Sequence, residues 1–226
     1  MGKWIQVLGA NINITYTGGW CLKAVQDAFS TPHLYATAFD DWMSGEHNGD
    51  TSLGNHDGQT PPLGIQVPVY LKLGNVPAGD VAISLGDGRV AAAAQPGTHV
   101  GLYIYPSLQS YINDYSRANG GATYLGWSEG TANTRLVSYI PDVTTQDSTQ
   151  TDVIPFTEKT VEDGFLPVGQ SKTTQVGVNG SHTVVTRVTL TDGVQTASTV
   201  ISDVTVPAVP HIIAVGTKPI PPIVVP

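Results

Sequence analysis

The only cysteine of the 226-residue chain, Cys21, follows Gly18-Gly19-Trp20 and opens a segment in which Leu22, Val25 and Phe29 recur at helical spacing. A thiol at a helix N-terminus meets unpaired backbone N–H groups and the positive end of the helix dipole, which together favour thiolate. That is the placement of a nucleophile, and it demands a base within hydrogen-bond reach, usually histidine, plus a third polar group to orient the base. The competing reading of a lone cysteine is a small apolar residue packed under a sheet. One cysteine excludes an intramolecular disulfide and a multi-cysteine zinc site. His33, His47 and His56 lie in or beside a Gly-, Asn- and Asp-rich loop between Ser44 and Pro62, where solvated side chains are the rule. His47 and His56 with Asp50 and Asp57 make only a weak metal-ligand pattern, so no metal and no other cofactor is expected. His182 and His211, far along the chain, read as surface residues.

These side chains must be held by an N-terminal part of mixed structure. Helical patterns cover Cys21 to Phe29, Tyr35 to Met43 and Pro106 to Tyr115. Strand patterns cover Val67 to Leu73, Asp80 to Leu85, Arg89 to Ala94, Val100 to Tyr105, Ala122 to Trp127 and Arg135 to Ile140. Composition then shifts near residue 145. All four Trp and the cysteine precede it, whereas the rest is Val- and Thr-rich, with turns expected at Asn179-Gly180 and Asp192-Gly193. The polar stretch Thr144 to Thr151 reads as a linker, and Pro219 to Pro226 as a polyproline-like tail.

Composition excludes several classes of function. Charged residues make up 12% of the chain, the net charge is −8, and the ten Lys and Arg are scattered singly, which rules out a phosphate-tracking nucleic-acid surface. No apolar run approaches the roughly 20 residues of a membrane span, and Met1 to Leu8 shows no secretory signal. Both halves are mildly acidic, at 6 basic and 11 acidic residues up to 145 and 4 and 7 after it, so neither is a charged tail.

Gly19-Trp20-Cys21-Leu22, Pro68-Val69-Tyr70, Gly79-Asp80-Val81-Ala82-Ile83 with Asp87-Gly88-Arg89-Val90, and Tyr124-Leu125-Gly126-Trp127-Ser128-Glu129 together resemble a phage lysin peptidoglycan hydrolase of the cysteine- and histidine-dependent amidohydrolase/peptidase (CHAP) type, within the papain-like superfamily. The resemblance covers roughly residues 15–140. It implies a thiolate attacking a peptide or amide bond of the wall, a histidine base and a polar third residue. Where such lysins carry Gly-His-Val, this chain has Gly79-Asp80-Val81, and an aspartate with an ordinary pKa of about 4 is a poor base at neutral pH. A second alignment, on Gly97-Thr98-His99-Val100, makes His99 the implied base. Glu129 is then the orienting residue, with Asn133 in reserve. The plain alternative for Glu129 is a loop carboxylate paired with Arg135. Trp20 and Trp127 would line a groove for wall peptide or sugar, or else sit in the core.

The C-terminal part carries Ile154-Pro155-Phe156-Thr157, Val161 to Gly169, Gln175 to Gly180, Thr191-Asp192-Gly193 and Val215-Gly216-Thr217-Lys218, and resembles the G-five domain of Gram-positive wall-associated and surface proteins. That resemblance implies a thin β-domain, binding glycan or acting as a spacer. The joint expectation is an α+β papain-like (CHAP-like) domain over residues 1–145, an elongated all-β domain over 146–218 and a Pro-rich tail over 219–226. The function implied is a phage or prophage peptidoglycan hydrolase, in the virion or released from the host cytoplasm to the wall. Its partners would be peptidoglycan and other phage tail proteins. The alternative, favoured by Asp80, is a catalytically degenerate structural tail protein or a cell-wall-binding protein.

Overall fold

A computed structural model describes residues 2–14, 20–45, 53–93 and 102–220. The chain divides into two compact units, Gly2–Ile140 and Pro141–Pro226. The described residues are mostly β, 51% strand against 13% helix, and their three helices are short. This overturns the expected papain-like α+β fold. The helical periodicities do fold as helices, but in runs of eight, seven and eleven residues, too little helix for a helical layer to share the architecture with the sheet.

In the first unit the order is β1 (Lys3–Gln6), α1 (Cys21–Ala28), α2 (Ala38–Ser44), β2 (Asn55–Asp57), β3 (Val67–Leu73), β4 (Asp80–Ser84), β5 (Val90–Ala92), β6 (Tyr103–Tyr105), α3 (Leu108–Ala118), β7 (Ala122–Ser128), β8 (Gly130–Thr131), β9 (Thr134–Arg135) and β10 (Val137–Ile140). Six of these strands form one antiparallel sheet in the order β2-β7-β3-β4-β5-β6. Its central strands β3 and β4 are almost continuously apolar, as strands covered on both faces must be, and nearly every residue in them is buried. Helix α1 packs on β4 and α2 on β3, while α3 lies against β7 and β6. Leu22, Val25 and Phe29 join Val69, Tyr70, Ile83 and Tyr111 in one core.

Local chemistry sets the element ends. Thr37 caps α2 by accepting a hydrogen bond from the Asp40 amide at 3.0 Å, and Ser107 caps α3 through the Ser110 amide at 3.1 Å. Helix α1 has no side-chain cap; Trp20 precedes it, and the chain leaves its far end through Ser30 at φ 55°. The β3–β7 ladder slips between Tyr70 and Leu71, leaving Leu125 as an extra residue in β7 beside Gly126 at φ 139°. A Cβ at Gly126 would sit 2.3 Å from the His56 carbonyl oxygen, so only glycine lets β2 approach there.

The second unit contains β11 (Val143–Ile154), β12 (Glu158–Pro167), β13 (Ser171–Gln175), β14 (Gly180–Thr191), β15 (Val194–Val206) and β16 (His211–Lys218). They form two three-stranded sheets, β11-β14-β15 and β12-β16-β13, with β12 and β16 parallel. Thr144 to Thr151 is no linker: it is the body of β11 and pairs residue by residue with β14, because its Thr-rich alternation suits a strand solvated on both faces. Nor does Asn179-Gly180 close a hairpin. Strand β13 pairs with β16 instead, neither residue has positive φ, and the Asn179 side chain accepts from the Phe156 amide at 3.1 Å. The Asp192-Gly193 turn does join paired strands, with φ of 52° and 82° as a two-residue hairpin requires. Of the tail, Pro219 and Ile220 have no regular structure, and the remainder lies outside the described residues. Among the described residues no helix is long and apolar enough to cross a membrane.

Candidate functional site

The Cys21 side chain stands at the first residue of α1, and its neighbour is the carboxyl group of Asp80 at the start of β4. The thiol donates to that carboxylate, and the Tyr111 and Tyr115 hydroxyls of α3 donate to it as well. Burial is the largest influence on Asp80 and raises its pKa to about 6, against the lowering effect of Tyr111, Cys21, Tyr115 and the Val81 amide. Burial likewise pushes the Cys21 thiol well above its ordinary range, and the Asp80 charge pushes it further; the Val81 and Leu22 amides only partly offset this. The dipole argument that suggested a thiolate is therefore outweighed. A group that disfavours negative charge sits beside another that does the same, so the pair holds a protonated thiol.

His99, the expected base, lies outside the described residues, as do His47 and Asp50. Glu129 sits elsewhere among the expected partners. Its carboxylate lies 3.2 Å from His56 Nε2 and accepts from Arg135 at 2.5 Å. The His56 ring stacks on Trp127 with centroids 3.7 Å apart, and Trp4 meets both rings edge-on. Trp127 is only 2% exposed, so its indole packs in the core instead of facing a groove. Trp20, by contrast, is 62% exposed beside Cys21. Asn133 accepts a hydrogen bond from Tyr35 at 2.9 Å. The structure thus joins Cys21 to Asp80 and Glu129 to His56, in two clusters that share no residue. No group of three or more His, Cys, Asp or Glu able to hold a metal occurs among the described residues.

Two features escaped the sequence. Asp41, on α2, is a buried carboxylate that accepts from Tyr70 and Thr131 at 2.6 Å each and from the Ala132 amide at 2.9 Å, tying α2 to β3 and to the β8–β9 turn. Such a group braces the fold. The other is a cleft of about 310 Å³ beside α1, lined by Trp20, Cys21, Gln26, His33 and Tyr35 among others. The available signal was Gln26 itself, a polar residue one turn from Leu22 on the apolar face of α1.

The family model of the G5 domain matches residues 145–218. Residues 145–218 are a G5 domain. Among solved structures, the IgA1 protease G5 domain is 24% identical, over 35% of this chain and 94% of that one, with a TM-score of 0.33. The HP0197 G5 domain is 27% identical, over 33% of this chain and 99% of that one, with a TM-score of 0.26. No curated protein matches the chain. The CHAP and phage-lysin resemblance of the N-terminal part finds no support in these comparisons. Within the G5 domain the polar contacts are paired on the surface: Arg187 grips Asp147 with two 2.8 Å bonds across β11 and β14, and His182 meets Asp203 at 2.8 Å across β14 and β15. Phe165 stands almost fully exposed between Gly164 and Leu166.

Proposed function

We propose that this chain is a cell-wall-binding protein whose G5 domain attaches it to peptidoglycan or to a similar glycan surface. The observation that carries this reading is the G5 domain at residues 145–218, a module of the wall-associated kind. The N-terminal unit supports binding over hydrolysis. Burial and the Asp80 charge disfavour the thiolate that a cysteine hydrolase uses, and Glu129 pairs with His56 and Arg135. The second unit carries few charges, so its attachment rests on hydrogen bonds and apolar contacts and tolerates salt.

The test is co-sedimentation of the full chain with purified peptidoglycan sacculi, together with a turbidity assay on the same sacculi. Saturable binding that survives high salt and the Cys21→Ala change, without clearing of the suspension, is the expected result. Clearing that disappears in Cys21→Ala and in His99→Ala would restore the hydrolase reading. Absence of both binding and clearing would remove the wall reading altogether.

A further inference from the structure

The carboxyl group of Asp80 joins two helices to one strand. It accepts from Cys21 of α1 and from Tyr111 and Tyr115 of α3, while Asp80 itself opens β4 and is 6% exposed. Among the described residues, the ionisable groups acting on it or through it are acids: Cys21, Tyr111, Tyr115 and, from β6, Tyr105. Its other neighbours supply no cation. On β3 it pairs with Leu71, beside which Lys72 is exposed, β5 is apolar, and Asp41 of α2 is engaged by Tyr70 and Thr131. A buried carboxylate without a cation is costly, and holding a proton is the way such a group avoids that cost. The two helices at this joint are unequally secured. Helix α3 has eleven residues, a Ser107 cap, Arg117 in its last turn and two phenol donors to Asp80. Helix α1 has eight residues, no side-chain cap and no charge that complements its dipole at either end, and it leaves through Ser30 at φ 55°. Its donor to Asp80 is a thiol, the weaker kind. So short a helix does not persist without its packing. Along one side of the 310 Å³ cleft, α1 supplies Cys21, Leu22, Lys23 and Gln26.

From this arrangement we propose that Asp80 and α1 form a proton-operated latch: with the proton on Asp80, α1 lies closed on β4, and loss of the proton favours an opened α1, in which the carboxylate reaches water and the cleft loses one wall. The sign follows from linkage. Closed, Asp80 binds its proton with a pKa of about 6, against 3.8 once α1 has opened and water reaches it. The closed state is therefore fully favoured below about pH 4 and loses ground as pH rises through about 6. The opening is local, because α3 and the sheet keep contacts that do not pass through Asp80. The latch is independent of the wall-binding reading.

The test is amide hydrogen exchange on the full chain at pH 5 and pH 7.5, each corrected for the intrinsic exchange rate at that pH. Protection of the amides from Val25 to Phe29 should fall by about tenfold between the two. Asp80→Asn, which keeps a neutral group of the same shape, should abolish that fall. At pH 7.5 the α1 amides of the wild type should also be less protected than those of β4, since α1 opens while the sheet stays closed. Equal α1 protection at both pH values would overturn the proposal. The same fall in Asp80→Asn would assign it to another group. Equal protection of α1 and β4 at pH 7.5 would mean that only the whole unit opens, and the latch would fall on that result too. If Asp80→Asn does not fold, the two wild-type comparisons decide alone.

Discussion

The two units of this chain reach a folded state by different means. In Gly2–Ile140 three short helices pack on parts of the sheet, and Phe29, Tyr70, Tyr111 and Trp127 lie in a common core. In Pro141–Pro226, Ala214 is the only buried apolar side chain among the described residues, and strands of 12 and 13 residues, about 40 Å each, hold together mainly by their ladders. Burial at about 25 cal/mol per Å² carries the first unit. Backbone pairing and tightly fitted glycines carry the second. The contrast teaches that mutational sensitivity should sit in side chains in one unit and in backbone approach in the other.

The largest effect expected from this contrast is a core truncation. Phe29 is 0% exposed at the end of α1, and Phe29→Ala should cost about 3–5 kcal/mol, enough to unfold a marginal unit. Urea unfolding of the full chain, read by tryptophan fluorescence, isolates the unit because all four Trp precede residue 145. A loss below about 1 kcal/mol would mean that the core does not hold α1 in place.

Next in size is the carboxyl group under α1. Asp80 has a pKa of about 6 in the fold against 3.8 ordinarily, so its native state binds the proton more tightly than the unfolded chain does. Its contribution is fully present below about pH 4 and is lost as pH rises through about 6, a fall of about 3 kcal/mol. Asp80→Asn keeps a neutral group in place, so the difference between wild type and variant should change by about that amount between pH 4 and pH 7. A pH-independent difference would show that Asp80 is not buried as described. Cys21 provides a companion measurement: its thiol should react with iodoacetamide at pH 7.5 at least about tenfold more slowly than free cysteine. Fast alkylation would instead signal an activated nucleophile.

The second unit should fail at its glycines. A Cβ on Gly216 would lie 2.0 Å from the Pro167 carbonyl oxygen and 2.5 Å from that of Leu166, with backbone on both sides and no flexible end to yield. Gly216→Ala should therefore separate the end of β12 from β16 and cost about 2 kcal/mol or more. Amide hydrogen exchange in β12, β13 and β16 would record the loss, with the amides of β3 and β4 unchanged. Equal protection in variant and wild type would show that the parallel pair does not need this approach.

The same contrast explains what could be read from the residues alone. Turn glycines and their spacing are local signals, so the G5 domain was legible from its order of motifs, and the β3, β4 and β7 strands from apolar runs. The failures are non-local. Asn179-Gly180 has the composition of a hairpin turn, but Val178 bridges Val209 and β13 finds β16, a pairing that no short-range pattern encodes. Thr144 to Thr151 looked like a linker because a strand solvated on both faces carries no apolar periodicity. At the candidate site, the placement of Cys21 at a helix start was legible, and Asp80 stood out at the position of the lysin histidine, whereas its burial beneath two tyrosines was not. Asp80 stands 59 positions away, and its neighbours Tyr111 and Tyr115 belong to a helix that follows two further strands.

The smallest effect completes the comparison. Val200 lies in β15, opposite Thr186 of β14, and is 56% exposed on a sheet whose residues are mostly solvated. Truncating it removes little buried area and leaves every ladder hydrogen bond in place, so Val200→Ala should shift stability by no more than about 0.5 kcal/mol, chiefly through the lower strand preference of alanine. An apolar residue in the first unit has no such freedom, as Phe29 illustrates. If Val200→Ala instead cost as much as a core truncation, or if it altered sedimentation at low protein concentration, the exposed apolar side of β15 would have to be covered by something in solution. The ladder-based account of the second unit would then give way to one in which an unseen packing partner supplies the missing core.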